Sequence, residues 1–153
     1  MLKRNILEDI ERAKATKQII PEGGYVCKIV DVDEENGYIC IFLDISEGKY
    51  KNYFDSVSSC FYEYKCGEIY SYPTLCYDLN GNDFSEHIKF ADFITIAEDS
   101  NPRFKFNGDN LNEIETIGLK LKYVETCYGM MFEIASIETP AYIRSHYNMD
   151  GEN

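Results

Sequence analysis

Tyr25-Val26-Cys27-Lys28-Ile29-Val30-Asp31-Val32-Asp33-Glu34-Glu35-Asn36-Gly37-Tyr38-Ile39-Cys40-Ile41-Phe42-Leu43-Asp44-Ile45 decides the fold class. Residues 25–32 are rich in β-formers, and Asn36-Gly37 is a favoured reversal between two strands. On the return, Ile39, Ile41, Leu43 and Ile45 alternate onto one face, which the period of two assigns to a core. Tyr38, Cys40, Phe42 and Asp44 fall on the other face, which is unusually aromatic for a solvated one. Three conditions fit that face: covered by a helix, covered by a partner, or open to a ligand.

Outward from this hairpin, residues 5–17 read as a short helix, with Ile6, Leu7, Ile10 and Ala13 at helical spacing until Pro21 and Gly23-Gly24 open the β region. Residues 47–55 read as a turn and a short strand, and 56–83 carry no clear period. A second helix is expected over 85–98, capped by Ser85, striped by Ile88, Ala91, Phe93, Ile94 and Ala97, and ended by Asn101-Pro102. Two more strands follow at 117–126 and 130–137, reversing at Tyr128-Gly129. The expected fold is mainly β with helices: a small OB-like, partly closed barrel of about five or more antiparallel strands, one interposed helix and an N-terminal helix. An α+β sandwich fits the same order. The expected division is a basic helical arm over 1–18, the β domain over 19–146 and a disordered tail over 147–153.

Thirteen tyrosines and nine phenylalanines without a tryptophan accompany a formal charge of −12. Aromatic rings on a sheet suit base stacking, whereas that charge repels phosphates unless the basic residues are gathered in one place. Residues 1–20 hold five basic and three acidic side chains, so the remainder carries ten against twenty-four. Within the body, three short segments set Lys or Arg beside Tyr or Phe: Lys49-Tyr50-Lys51-Asn52-Tyr53-Phe54, Arg103-Phe104-Lys105-Phe106 and Lys120-Leu121-Lys122-Tyr123. This is the chemistry of phosphate contact plus base stacking. In the third segment Lys120 and Lys122 share one strand face, with Leu119, Leu121 and Tyr123 opposite.

Other chemistries find little purchase. His87 and His146 have no partner at metalloprotease spacing, and there is no nucleophile elbow, phosphate loop or dinucleotide fingerprint. Asp78-Leu79-Asn80-Gly81-Asn82-Asp83 misplaces the glycine of a calcium loop and puts Lys89 at its twelfth position. Six cysteines without a Cys-x-x-Cys pair read as free thiols, with a metal site or a disulfide as alternatives. The expectation is a non-enzymatic, cytoplasmic protein without cofactor, metal or membrane span.

Ile20-Pro21-Glu22-Gly23-Gly24-Tyr25, Gly48-Lys49-Tyr50-Lys51-Asn52-Tyr53-Phe54, the helix ending in Ser100-Asn101-Pro102-Arg103-Phe104-Lys105-Phe106, and Gly118-Leu119-Lys120 together resemble a small family. That family is encoded by phages and prophages of low-GC Gram-positive bacteria, and the resemblance runs over about 19–146. The chain departs from it in the short turn Cys127-Tyr128-Gly129-Met130 and in having Lys65 as the sole lysine between Cys60 and Cys76. Some family members are labelled single-stranded-DNA-binding proteins with OB-like folds. The resemblance implies single-stranded-DNA binding in phage replication or recombination, with replication or recombination proteins, or a second copy, as further partners. Bases would stack on some of Tyr38, Phe42, Tyr50, Tyr53 and Tyr123; Lys49, Lys51, Lys120 and Lys122, with Arg103 and Lys105, would meet phosphates. The alternative is a protein-interaction or self-association module using the Tyr38/Cys40/Phe42 face, steered by its charge to basic partners.

Overall fold

The hairpin forms β1 (Gly23–Glu35) and β2 (Tyr38–Ile45) in a computed structural model that describes residues 6, 20–35, 37–60, 72–78, 88–126 and 129–147. Ile29 pairs with Leu43 and Asp31 with Phe42, so Val30 is the extra residue of a β-bulge. The bulge resets the alternation of β1. Beyond it Val32 joins the core side opposite Ile41, while Asp31 and Asp33 turn to the outer face.

The remaining elements are α1 (Tyr53–Cys60), β3 (Thr74–Asp78), α2 (Phe90–Ser100), a 3-10 turn (Leu111–Glu113), β4 (Ile117–Thr126), β5 (Gly129–Glu138) and α3 (Pro140–His146). All sheet neighbours are antiparallel, in the order β3-β2-β1-β4-β5. This corrects the expected OB-like barrel. The sheet is open and not curled closed, with β3 and β5 at opposite edges. A barrel needs its first and last strands paired at a consistent stagger. Strand number and length, on which the barrel expectation rested, carry no information about that pairing.

The inner face holds one core. Cys27, Ile41, Leu43, Leu75, Tyr77, Leu119, Leu121 and Ile134 are buried there, joined by Phe93 and Ala97 of α2. Asn101 ties the end of α2 to the start of β4. Its Nδ2 donates to the carbonyls of Ala97 and Thr116, each at 2.8 Å, and its Oδ1 accepts from the amides of Glu115 at 3.1 Å and Thr116 at 3.0 Å. Helix α2 starts at Phe90 after Lys89, whose side chain makes no cap, later than the expected 85; Ser85 lies outside the described residues.

Three elements differ from the sequence reading. The strand expected near 50–55 is a turn followed by α1. Asn52 takes a left-handed φ of 60°, and the Asp44 carboxylate accepts the amides of Phe54 at 3.0 Å and Asp55 at 3.1 Å. A buried acceptor at that point satisfies first-turn N–H groups and favours helix over strand. The third strand lies instead in the segment without a clear period. Helix α3 was not expected: Thr139 caps it, with Oγ1 accepting from the Tyr142 amide at 3.2 Å, and Pro140 supplies its first turn. It packs on the outer face over β1 and β4, where Gly24 and Gly118 leave room for Ile143 and Tyr147. The arm over 1–18, apart from exposed Ile6, and residues 148–153 lie outside the described residues.

Candidate nucleic-acid interface

The segment 46–53 runs beside the first part of β1, where β2 has ended. The Ser46 amide donates to the Val26 carbonyl at 2.9 Å, and Lys28 Nζ donates to Asn52 Oδ1 at 2.8 Å. This course brings Tyr50 edge-on to Tyr25, with ring centroids 6.3 Å apart, and to Tyr53 at 6.4 Å. Tyr53 meets Phe54 at 5.1 Å, Phe54 meets Phe132 of β5 at 5.6 Å, and Phe132 lies 4.5 Å from Tyr123 of β4 at a 31° tilt. Six rings therefore form one chain of contacts, of the edge-to-face and tilted kinds that aromatic pairs prefer.

Tyr53 and Phe54 are the buried base of this cluster; Tyr50, Tyr123 and Phe132 are half-buried. Tyr25 donates its hydroxyl to the Pro21 carbonyl and Tyr123 to the Ile20 carbonyl, which pins the chain before β1 against the rings. Burial, then the neighbouring phenols, holds the Tyr25 hydroxyl far above the ordinary phenol range. Burial, then Tyr53, Glu22 and Tyr50, does the same for Tyr123. Both rings thus stay neutral at physiological pH. Lys49 places Nζ 5.5 Å from the Tyr50 centroid, a cation–π arrangement, and Lys51 is exposed beside it.

Of the eleven candidate residues, then, Lys49, Tyr50, Tyr53 and Tyr123 come together in one cluster, with Lys51 adjoining. The others do not join it. Lys120 and Lys122 are exposed on the outer face, opposite Tyr123, and Lys122 pairs with Glu133 at 3.4 Å. Arg103 and Lys105 are exposed on the loop after α2, in a cleft that Glu113 and Glu115 also line. Tyr38 is 47 % exposed on the outer face of β2 and Phe42 is half-buried there, but carboxylates border both. Asp31 is opposite Phe42, Asp33 opposite Cys40 and Asp78 opposite Tyr38.

Charge is unevenly spread along the sheet, with Glu22, Asp44, Glu47 and Glu133 lying among the basic side chains of its early end. Lys28, Lys49, Lys51, Lys120, Lys122 and Arg144 lie at the early end of β1 and its neighbours, where Arg144 pairs with Glu47 at 2.7 Å. Asp31, Asp33, Glu34, Asp78 and Asp109 gather at the hairpin end. Among the described residues Lys49, Lys51 and Lys120 carry no ion pair.

Sequence reasoning missed Tyr25 and Phe132. Tyr25 shares the phase of Cys27 and so reads as core. Phe132 is brought opposite Tyr123 by the β4–β5 register, and its sequence signal was the reversal expected at Tyr128-Gly129. Among the described residues no three His, Cys, Asp or Glu side chains are grouped to hold a metal ion, and no helix is long and apolar enough to cross a membrane. His146 stacks on Tyr142 at 3.9 Å, with Nδ1 2.9 Å from the Tyr142 carbonyl oxygen. His87, most of the 78–83 loop and Cys66 lie outside the described residues.

No protein-family model matches the chain, and no curated protein matches it. These comparisons lend no support to the resemblance to the phage-encoded family or to a phage, replication or recombination setting, and the open sheet is not the OB-like barrel that the resemblance implied.

Proposed function

We propose that this chain is a non-enzymatic single-stranded-DNA-binding protein, acting in the cytoplasm, whose bases stack across Tyr50, Tyr123 and Phe132 while Lys49 and Lys51 meet phosphates. One observation carries the reading: the exposed lysines of the 46–53 segment adjoin a contiguous cluster of neutral, half-buried rings. Neutral rings with a cation at the rim suit bases and backbone together. Asp31, Asp33 and Asp78 lie toward the hairpin end of the sheet, where screening over about 8–10 Å at physiological salt weakens their effect, while Glu22 beside Tyr123 is the carboxylate nearest the rings.

A second reading rests on the Tyr38/Phe42 face. Its rows of carboxylates repel phosphates and suit a basic protein segment, whose Arg side chains would stack on Tyr38 and pair with Asp31, Asp33 and Asp78.

Fluorescence-anisotropy titration tests both, using a labelled ~30-nucleotide oligo(dT) and a labelled arginine-rich peptide at roughly 20 mM and 200 mM salt. The first reading expects oligonucleotide binding that weakens with salt, drops about tenfold in Tyr50→Ala and is unchanged in Tyr38→Ala, from a stacking contribution of about 1–3 kcal/mol per base. Failure to bind oligo(dT) at low salt overturns it. Peptide binding lost in Tyr38→Ala would put the second reading in its place, and no peptide binding would remove that one too.

A further inference from the structure

We propose that Cys40 and Cys76 are a thiol-modification site that closes reversibly into a disulfide across β2 and β3. The two cysteines are directly opposite in the antiparallel register, and their sulfurs lie 2.9 Å apart. The Leu43 amide donates to the Pro73 carbonyl at 3.0 Å, which makes 43/73 a hydrogen-bonded pair. Stepping by two, 41/75 is hydrogen-bonded as well, and 40/76 is a non-hydrogen-bonded pair. Such pairs hold their Cα atoms about 4.5 Å apart with side chains close, within the range of about 4.4–6.8 Å that a disulfide spans. Closing the bond brings the sulfurs together by a further ~0.9 Å, which side-chain rotation can supply.

Both thiols are half-buried on the outer face, and exposed Tyr38 lies one side-chain row away, so a small reagent can reach them. This separates them from Cys27, which is fully buried in the core. Burial, and then the Cys40 thiol beside it, pushes the Cys76 thiol up to about 12. Either thiol, once deprotonated, can attack first, and the steps are the same with the two cysteines exchanged. The oxidant is a low-molecular-weight disulfide. The Cys40 thiolate attacks one of its sulfurs, forming a mixed disulfide and releasing one small thiolate, which takes up the proton that Cys40 gave up. Cys76 then gives its proton to solvent and, as a thiolate, attacks the Cys40 sulfur, displacing the second small thiolate, which takes up a proton. In sum, two cysteine thiols are oxidised to one disulfide and one small disulfide is reduced to two thiols. The product clamps the short edge strand β3 to β2 without touching the Tyr50/Tyr123 cluster.

The test uses cystamine, a cationic disulfide suited to a site bordered by Asp31, Asp33 and Asp78. Reduced full-length protein is exposed to cystamine, digested without reductant and analysed by mass spectrometry. The expected result is a peptide pair joined through Cys40 and Cys76, lighter by the two lost hydrogens and separated again by dithiothreitol. In Cys76→Ser the cystamine adduct should stay on Cys40, because the resolving thiol is gone. The joined form should melt roughly 5 °C or more above the reduced one. Separate cystamine adducts on Cys40 and Cys76 in the unaltered chain, or pairing of either with Cys60, Cys66 or Cys127, would overturn the proposal.

Discussion

Asp44 is fully buried, yet it lies in a strand whose other buried residues are apolar. Its Oδ1 accepts the amides of Ile45 at 2.8 Å and Phe54 at 3.0 Å, and its Oδ2 that of Asp55 at 3.1 Å. Asp44→Ala leaves all three donors without this acceptor and should cost about 2 kcal/mol at neutral pH, measured by urea unfolding. Desolvation nonetheless outweighs those hydrogen bonds and the Lys28 charge, so the carboxyl titrates above its ordinary value. A carboxyl raised in the fold binds its proton more tightly there than in the unfolded chain. Its contribution is therefore largest below the ordinary carboxylate range, falls as pH rises through the raised value, and is flat from there to neutrality. The stability difference between the natural chain and Asp44→Ala should narrow over that window; a difference that widens instead would show that the hydrogen bonds dominate. At this scale the sequence was half legible. Alternation assigned Asp44 to the outer face of β2, but an acid there reads as solvated until the 46–55 segment is seen to fold over it.

Glycine positions decide where α3 can lie. A Cβ on Gly118 would sit 2.6 Å from Ile143 Cγ1, 2.8 Å from the Glu138 carbonyl oxygen and 3.0 Å from that of Thr139. A Cβ on Gly24 would meet only side chains, the Tyr147 ring at 2.5 Å and Ile143 Cδ1 at 2.7 Å. Side chains can rotate away, whereas the two carbonyls are fixed by the turn from β5 into α3. Gly118→Ala should therefore lower stability by about 2–3 kcal/mol, and Gly24→Ala by about 1 kcal/mol, in parallel thermal melts. Equal losses would mean that α3 moves as a unit in both. Elements with a strong local period were the readable ones: the hairpin strands, β4, β5 and, of the stripe expected for α2, Phe93, Ile94 and Ala97, whereas Ala91 is exposed and Ile88 precedes the helix. Helix α1 was misread because Tyr50, Tyr53 and Phe54 are β-formers, and its cue is tertiary, the Asp44 carboxylate. Helix α3 carried a local cue in Thr139-Pro140, but Pro140 reads equally well as the end of the ordered body.

At the scale of the whole chain, the net charge of −12 conceals its distribution. Composition gives only the sum. The order β3-β2-β1-β4-β5 and the bulge at Val30 place Asp31 and Asp33 on the outer face at one end of β1, while Tyr50 and Tyr123 gather near its start. The same topology explains why the eleven candidates did not form one site: side chains that share a basic-aromatic segment alternate onto opposite faces, as Lys122 and Tyr123 do. From Asp33 back to Tyr25, counting seven steps because the Val30 bulge adds no length, the strand spans about 23 Å at ~3.3 Å per residue. The screening length is about 8 Å at 0.15 M salt and about 30 Å at 0.01 M. The double substitution Asp31→Asn with Asp33→Asn should therefore leave oligo(dT) affinity unchanged near 150 mM salt and raise it a few-fold near 10 mM, as anisotropy would read. A gain of the same size at both salts would mean that DNA passes within a few ångströms of Asp31 and Asp33, which would move the interface from the Tyr50 cluster to the Tyr38/Phe42 face.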